Sequence, residues 1–128
     1  MKKIFLILLL AFVATAAFAR DKKDEATTVY MLGVSISFSD TIAYFTEIQQ
    51  LDGVVLENDF LPHRQYYAYQ LKDYMNFKEN LPGRMSVIYF EEKLSKLKKK
   101  EMKIKKRLAE KEGTTVRYLG DKFKFVKP

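Results

Sequence analysis

The chain has no cysteine and a single histidine, His63, among its 128 residues. Without cysteine it can form neither a disulfide bond nor a thiolate metal site, and a mature N-terminus cannot carry a lipid-modified cysteine. The histidine pairs of common metal sites are missing, and the carboxylates do not occupy the alternating positions of a calcium loop. The sequence therefore predicts no metal ion or other cofactor, and a fold that depends on its hydrophobic core alone.

Residue patterns for nucleophilic catalysis are also scarce. Gly33-Val34-Ser35 resembles part of a nucleophile elbow, but the second glycine of that motif is missing and the serine lies inside a regular strand pattern. A catalytic triad would have to use His63, which follows Pro62 near a predicted helix start and is typical of a partly exposed end-of-helix residue. We therefore expect a non-enzymatic protein.

A long apolar run occurs only at the N-terminus. Two lysines precede the apolar residues 4–13, and Ala17-Phe18-Ala19 has the small residues of a cleavage site. The pattern predicts a signal peptide over residues 1–19, cleavage before Arg20, and an exported protein that is periplasmic or secreted. No later stretch has the length of a membrane-spanning helix, so no transmembrane segment is expected after cleavage.

The mature chain of 109 residues (128 − 19) has the size of one domain. We assign residues 20–27 to a charged, disordered leader and residues 28–128 to a single domain. Residues 20–90 contain 7 basic and 10 acidic side chains, whereas residues 91–128 contain 14 basic and 6 acidic ones. The net charges are −3 and +8, so the C-terminal third is strongly basic.

Strict alternation of bulky and small side chains runs from Tyr30 to Phe38 and predicts a β-strand. One face of this strand is bulky and needs a core to cover it. The other face includes Gly33, Ser35 and Ser37, and it would either meet water or allow another part of a structure to approach the backbone closely.

The next segment, residues 42–49, permits two interpretations. Alternate residues from Ile42 to Ile48 fit a strand, whereas the apolar residues at positions 42, 45, 48 and 51 recur every three residues and fit a helix. We favour a strand, because aromatic and β-branched residues are frequent and the short connection at residues 39–41 suits a hairpin.

The rest of the chain contains two predicted helices between short predicted strands. The sequence leaves open whether a bulge or a two-residue hairpin turn occurs at Gly120-Asp121. In chain order the expected elements are a possible edge strand at 54–57, a helix at 60–78, a strand at 84–90, a lysine-rich helix at 91–112, a strand at 116–119 and a last strand containing Phe123 and Phe125.

These elements predict an α+β domain with the order β-β-α-β-α-β. We expect a mixed sheet of four or five strands with both helices packed on one face. The opposite face would then be open and would present Ser35 and Ser37 to a binding partner.

The lysine-rich helix is a second candidate surface, represented by Lys99, Lys103 and Lys106. It is either a solvated outer face or a binding surface for anionic lipid, lipopolysaccharide or peptidoglycan. Nucleic acid is not an expected partner, because an exported protein rarely meets it and the helix lacks the interleaved aromatic residues of single-strand binders.

The helix at 60–78 offers a third candidate surface. Tyr66, Tyr67 and Tyr69 point in three directions, so at least one of them should be exposed. Together with Arg64 and Gln70, an exposed tyrosine is suitable for stacking on a sugar or contacting a protein.

The sequence contains the runs VYMLGVSISFSDT, YFTEIQ and SVIYF, and Arg64 with YAYQLKDY from Tyr67 to Tyr74. In these runs the chain resembles a family of small exported proteins of gut Bacteroidetes-type bacteria, and the resemblance implies export and this layout without implying an activity. Its second half, a strand, a lysine-rich helix and a strand, is similar in topology to SPOR domains, which bind peptidoglycan glycan strands.

The sequence thus predicts a small exported non-enzymatic protein that binds a partner, a protein or a glycan, at the bacterial cell envelope. One alternative is binding of an anionic surface by the lysine-rich helix. Another is an envelope enzyme that uses tyrosine, carboxylate and lysine groups.

Overall fold

The strand predicted from alternation is the centre of the observed sheet. The structure, a computed structural model, describes residues 25–128, so the predicted signal peptide and residues 20–24 of the leader lie outside the described residues. The strands are β1 (Thr27–Ile36), β2 (Ile42–Phe45), β3 (Gln49–Val54), β4 (Met85–Glu91) and β5 (Thr115–Tyr118), and the helices are α1 (Arg64–Phe77), α2 (Leu94–Glu112) and a short 3-10 helix (Gly120–Lys122). The predicted α+β class with a mixed sheet and two helices is confirmed.

β1 has neighbours along both of its sides. β4 pairs with it antiparallel, from Tyr30 opposite Glu91 to Ile36 opposite Met85. On its other side, the C-terminal half of β1 pairs with β2 and the N-terminal half pairs with β3. β2 and β3 therefore form one interrupted row of the sheet, and β5 extends this row beyond β2 in parallel orientation.

The strand interpretation of residues 42–49 is confirmed in part, because residues 42–45 form β2, residues 46–48 lie outside the strands, and a separate strand, β3, begins at Gln49. Polar side chains stabilise the turn between β1 and β2. Ser37 Oγ accepts a hydrogen bond from Ser39 N (3.0 Å), and Asp40 Oδ1 accepts one from Ile42 N (3.0 Å). These are the local side-chain hydrogen bonds expected of serine and aspartate in turns.

The two helices pack on opposite faces of the sheet, so the prediction that both pack on one face is wrong. Alternate residues of β1 belong to two separate cores. The core under α1 includes Val29, Met31, Leu71 and Met75. The core under α2 includes Leu32, Val34, Leu97 and Ile104. A strand buried on both faces is central to its sheet, whatever the size of the side chains on each face.

Both helices begin later than predicted, whereas the end of α2 is where the sequence indicates. His63, immediately before α1, has a left-handed backbone (φ 61°), so the helix starts at Arg64. Glu91 is still paired in β4, which delays α2 to Leu94. Gly113 (φ 60°) ends α2 in the left-handed conformation that glycine adopts readily. Within residues 25–128, neither helix is both long and apolar enough to span a membrane.

The chain leaves the sheet after β5. Leu119 N donates a hydrogen bond to Phe45 O (2.8 Å), and the Leu119 side chain is buried in the core under α1. Gly120 (φ 61°) then starts the 3-10 helix. This helix replaces both predicted alternatives, the bulge and the hairpin turn, and it directs the C-terminus to the α1 side.

The C-terminal residues cross the α1 side as an extended segment and not as the predicted last strand. Phe123 and Phe125 are buried there with ring centroids 4.8 Å apart. The Gln49 amide exchanges two hydrogen bonds with the backbone of Phe125 (2.8 Å each). The Gln70 amide does the same with Val126 (2.6 and 2.8 Å). Two glutamine side chains thus form the backbone hydrogen bonds that a neighbouring strand would otherwise form with this segment.

Gly33 provides the first testable prediction. A Cβ atom at this position would lie 2.8 Å from Phe125 Cζ and 2.9 Å from Leu71 Cδ2. Because Leu71 is fully buried and Phe125 nearly so, Gly33→Ala should lower the free energy of unfolding by about 1–3 kcal/mol, as overpacked cores do. Urea denaturation followed by circular dichroism measures the change.

A double-mutant cycle with Phe125→Leu controls for this effect, since leucine has no Cζ atom. Gly33→Ala should be less destabilising in the Phe125→Leu background than in the wild type. An equal effect in both backgrounds would contradict the proposed contact.

Candidate functional site

The serine face of β1, predicted to be open, is buried. Ser35 is fully buried, and α1 together with the C-terminal segment covers Gly33. Ser37 is half-buried and its hydroxyl is engaged in the turn to β2. Ser35 therefore cannot contact a partner directly, and this face is not a docking surface. The small side chains on this face instead allow other parts of the fold to pack closely against the backbone of β1.

Ser35 belongs instead to a hydrogen-bonded cluster around Arg84, which is only 4% exposed. Arg84 Nε donates to Ser35 Oγ (3.0 Å), and Nη2 donates to Ser35 O (3.2 Å) and to Ile42 O. Nη1 forms an ion pair with Asp40 Oδ2 (2.7 Å). The guanidinium also lies 4.9 Å from the ring centroid of Tyr44. One planar group thus joins β1, β2 and the turn between them to the start of β4.

The pKa of Asp40 lies below its usual value of 3.8. The hydrogen bond from Ile42 N is the main cause, and the positive charge of Arg84 lowers the pKa further. Sequence reasoning missed this cluster. Its only signal was an arginine placed between the Pro82-Gly83 turn and an apolar strand.

Of the residues predicted on α1, Arg64 and Gln70 have structural partners. Arg64 donates to Ile88 O through Nε (3.0 Å) and Nη2 (2.6 Å), and its guanidinium lies 5.6 Å from the centroid of the Phe90 ring. This contact satisfies one outward carbonyl of the edge strand β4. Gln70 holds Val126, as described above. Both side chains therefore fasten parts of the fold.

Tyr66 and Tyr69 remain available on the same helix, with 46% and 52% of their surfaces exposed. Tyr67, in contrast, is buried against the C-terminal segment, with its ring centroid 5.8 Å from that of Phe125. The prediction that at least one of these three tyrosines is exposed is confirmed.

The basic stripe of α2, Lys99, Lys103 and Lys106, lies opposite the buried side of the helix. Its members are all exposed, and their spacing of four and three residues places them on one side over about 10 Å. α2 contains nine basic and three acidic side chains. Among residues 25–128, the one ion pair that α2 forms joins Lys100 and Glu91 (2.7 Å). The basic stripe is therefore free of ion pairs within the described residues.

No three histidine or carboxylate side chains of the described segment come together in a way that could hold a metal ion. No family model, curated protein or solved structure matches the chain. We therefore infer the function from the exposed surfaces described above.

The Arg84 cluster provides the second prediction. Arg84→Ala should lower the free energy of unfolding by about 2–4 kcal/mol, because buried acceptors of Ser35 and Ile42 lose their donor. Arg84→Lys should also destabilise, since one ammonium group cannot reach acceptors arranged for a planar fork. Arg117→Ala, at an exposed arginine of β5, is the matched control. Equal effects at positions 84 and 117 in urea denaturation would contradict the role of this cluster.

Proposed function

We propose that this chain is a small exported, non-enzymatic protein that binds an anionic component of the bacterial cell envelope through the basic stripe of α2. The observation that most supports this proposal is that Lys99, Lys103 and Lys106 are exposed on one side of a helix whose other side is buried in a core. A helix held in this way presents its charges without losing backbone entropy on binding.

Comparison of the candidate surfaces supports this choice. The serine face is covered, and Arg64 and Gln70 are committed to contacts within the fold. The lysines of the basic stripe have no such partners among the described residues. Clustered basic side chains on one helix face attract anionic headgroups and polymers, and this attraction weakens as salt screens the charges.

The sequence supports the remaining parts of the proposal. The signal-peptide pattern at residues 1–19 and the resemblance to small exported proteins favour the envelope as the compartment. The non-enzymatic part is favoured because the Ser35 hydroxyl is buried and accepts its hydrogen bond from Arg84. A serine in that position is not available to a substrate.

A protein partner on α1 is the second candidate. Tyr66 and Tyr69 are about half exposed and lie close in sequence on one helix, and exposed tyrosines are frequent in binding hot spots. Substitution of these two residues would impair such a complex and leave binding to anionic surfaces unchanged.

Neutralising the basic stripe tests the main proposal. The triple variant Lys99→Gln/Lys103→Gln/Lys106→Gln should bind vesicles of anionic phospholipid roughly a hundredfold more weakly, because each lysine near such a surface contributes about 1 kcal/mol. Cosedimentation at low and high salt measures the loss, with lipopolysaccharide and peptidoglycan sacculi as parallel arms that distinguish the source of the anionic groups.

The matched control is Lys72→Gln/Lys78→Gln/Lys124→Gln, which removes the same charge from exposed positions in α1, just after it and in the C-terminal segment. This control should retain most of the binding. Equal losses in the two triple variants would indicate only a net-charge effect. Unchanged retention of the basic-stripe variant on all three materials would reject the proposal.

The predicted signal peptide can be tested separately from the binding surfaces. When the chain is expressed with its native N-terminus in a Gram-negative host, the protein recovered from the periplasm or medium should begin at Arg20. Intact-mass spectrometry and N-terminal sequencing identify the first residue. Recovery from the cytoplasmic fraction with residues 1–19 still attached would contradict the predicted signal peptide.

A further inference from the structure

An open cleft of about 590 Å³ lies between the N-terminal half of α2 and the sheet, away from the basic stripe. Its volume is within the range of roughly 300–1,000 Å³ that is typical of small-molecule sites. The residues that matter here are Tyr30, Glu47, Gln50 and Tyr118 from the sheet side, and Lys98 and Glu101 from the helix.

The fold creates this cleft. β5 pairs with β2 and ends at Tyr118, where the chain turns away to the α1 side of the sheet. β3 therefore has no β5 beside it. The interruption between β2 and β3 leaves Glu47 exposed at the same place. α2 crosses above this edge and supplies the opposite wall.

Two tyrosine rings line the cleft and are held by their surroundings. Tyr118 is 41% exposed, and its ring packs edge-on against buried Phe45 with centroids 5.7 Å apart. Tyr30 is half-buried and lies across the strand pair from Gln50. Rings fixed in this way offer apolar faces next to polar hydroxyl groups.

The polar groups of the cleft carry both signs of charge. Glu47, Glu101 and Lys98 line the cleft. Lys105 lies beside it, with its Nζ 5.0 Å from the centroid of the Tyr118 ring. Burial raises the pKa of Glu101, although the positive charge of Lys105 and a hydrogen bond with Tyr118 act in the opposite direction. With the adjacent Lys105 counted, two carboxylates and two ammonium groups give a formal net charge of zero, in contrast to the basic stripe.

We propose that this cleft binds a neutral sugar ring of an envelope polysaccharide. A pyranose has an apolar C–H face that can stack on a tyrosine, and hydroxyl groups that both donate and accept hydrogen bonds. Glu47 and Glu101 accept such bonds. Gln50 Nε2 donates one N–H to Asp52 Oδ1 (2.9 Å), which leaves its second N–H to donate and Oε1 to accept. A balanced charge favours a neutral polyhydroxy ligand over an anion or a cation. The inference is independent of the basic stripe, which contributes no residue to the cleft.

The test titrates the exported, processed protein, labelled with ¹⁵N, with tri-N-acetylchitotriose, cellotriose and mannotriose at millimolar concentrations. At least one of these neutral oligosaccharides should shift the backbone resonances of Tyr30, Glu47, Gln50 and Tyr118. Tyr118→Ala should weaken binding about tenfold by removing the stacking face, whereas Tyr118→Phe should retain most of it. The double variant Glu47→Ala/Gln50→Ala, at two exposed positions, should weaken binding without disturbing the core.

Tyr69→Ala is the matched control, because it removes a comparably exposed tyrosine (52% against 41% for Tyr118) from α1 on the other face of the sheet. It should leave sugar binding unchanged. The inference is overturned if no oligosaccharide shifts the cleft resonances, or if binding survives both Tyr118→Ala and the double variant. Occupation of the cleft by a peptide, with no response to sugars, would also overturn it.

If the protein cleaves an oligosaccharide and Glu101→Gln abolishes the cleavage, the result would support the cleft as a sugar site. It would contradict only the non-enzymatic part of the proposed function. Loss of binding to anionic vesicles in the basic-stripe variant, with sugar binding intact, would keep the two sites distinct.

Discussion

The close approach of α1 and the C-terminal segment to Gly33 is the contact on which the arrangement of this domain depends. Because Gly33 has no side chain, Leu71 and Phe125 can reach the backbone of β1 from one face. The other face of β1 then carries the larger residues Leu32 and Val34, and α2 covers them. The helices therefore lie on opposite faces, and α2 has its own face of the sheet. Both the exposed basic stripe and the cleft beneath the start of α2 follow from this separation.

Local patterns in the sequence predicted the elements whose neighbours are also local. The alternation around Tyr30 identified β1, the turn residues near Asp40 indicated the hairpin, and Gly113 marked the end of α2. Alternation shows which side chains share a face, but it does not show what covers that face. The cover over Gly33 includes Phe125, more than ninety residues away (125 − 33 = 92), and no short-range pattern carries that information.

Polar residues that hold the fold together were the hardest to anticipate. Gln49, Gln70 and Arg84 look in the sequence like ordinary surface or partner-binding side chains, yet each satisfies backbone groups that a regular sheet would pair internally. The exposed lysines of α2 were predictable because helical spacing alone decides which side of an amphipathic helix faces solvent. The cleft could not be predicted from the sequence, because it forms only where four elements that are distant in the chain meet.

One helix contributes to both proposed sites. Lys98 and Glu101 of α2 face the cleft, whereas Lys99 and Lys103 point outward, and the buried Leu97 and Ile104 keep these two directions fixed relative to each other. Under the two proposals above, a polymer that carries both neutral sugar rings and anionic groups would contact both sites. Binding at the first site raises the effective concentration at the second, so two individually weak contacts would give firm attachment. A lipid surface offers only the anionic groups, so under the two proposals above an anionic polysaccharide would be the partner that contacts both sides of α2.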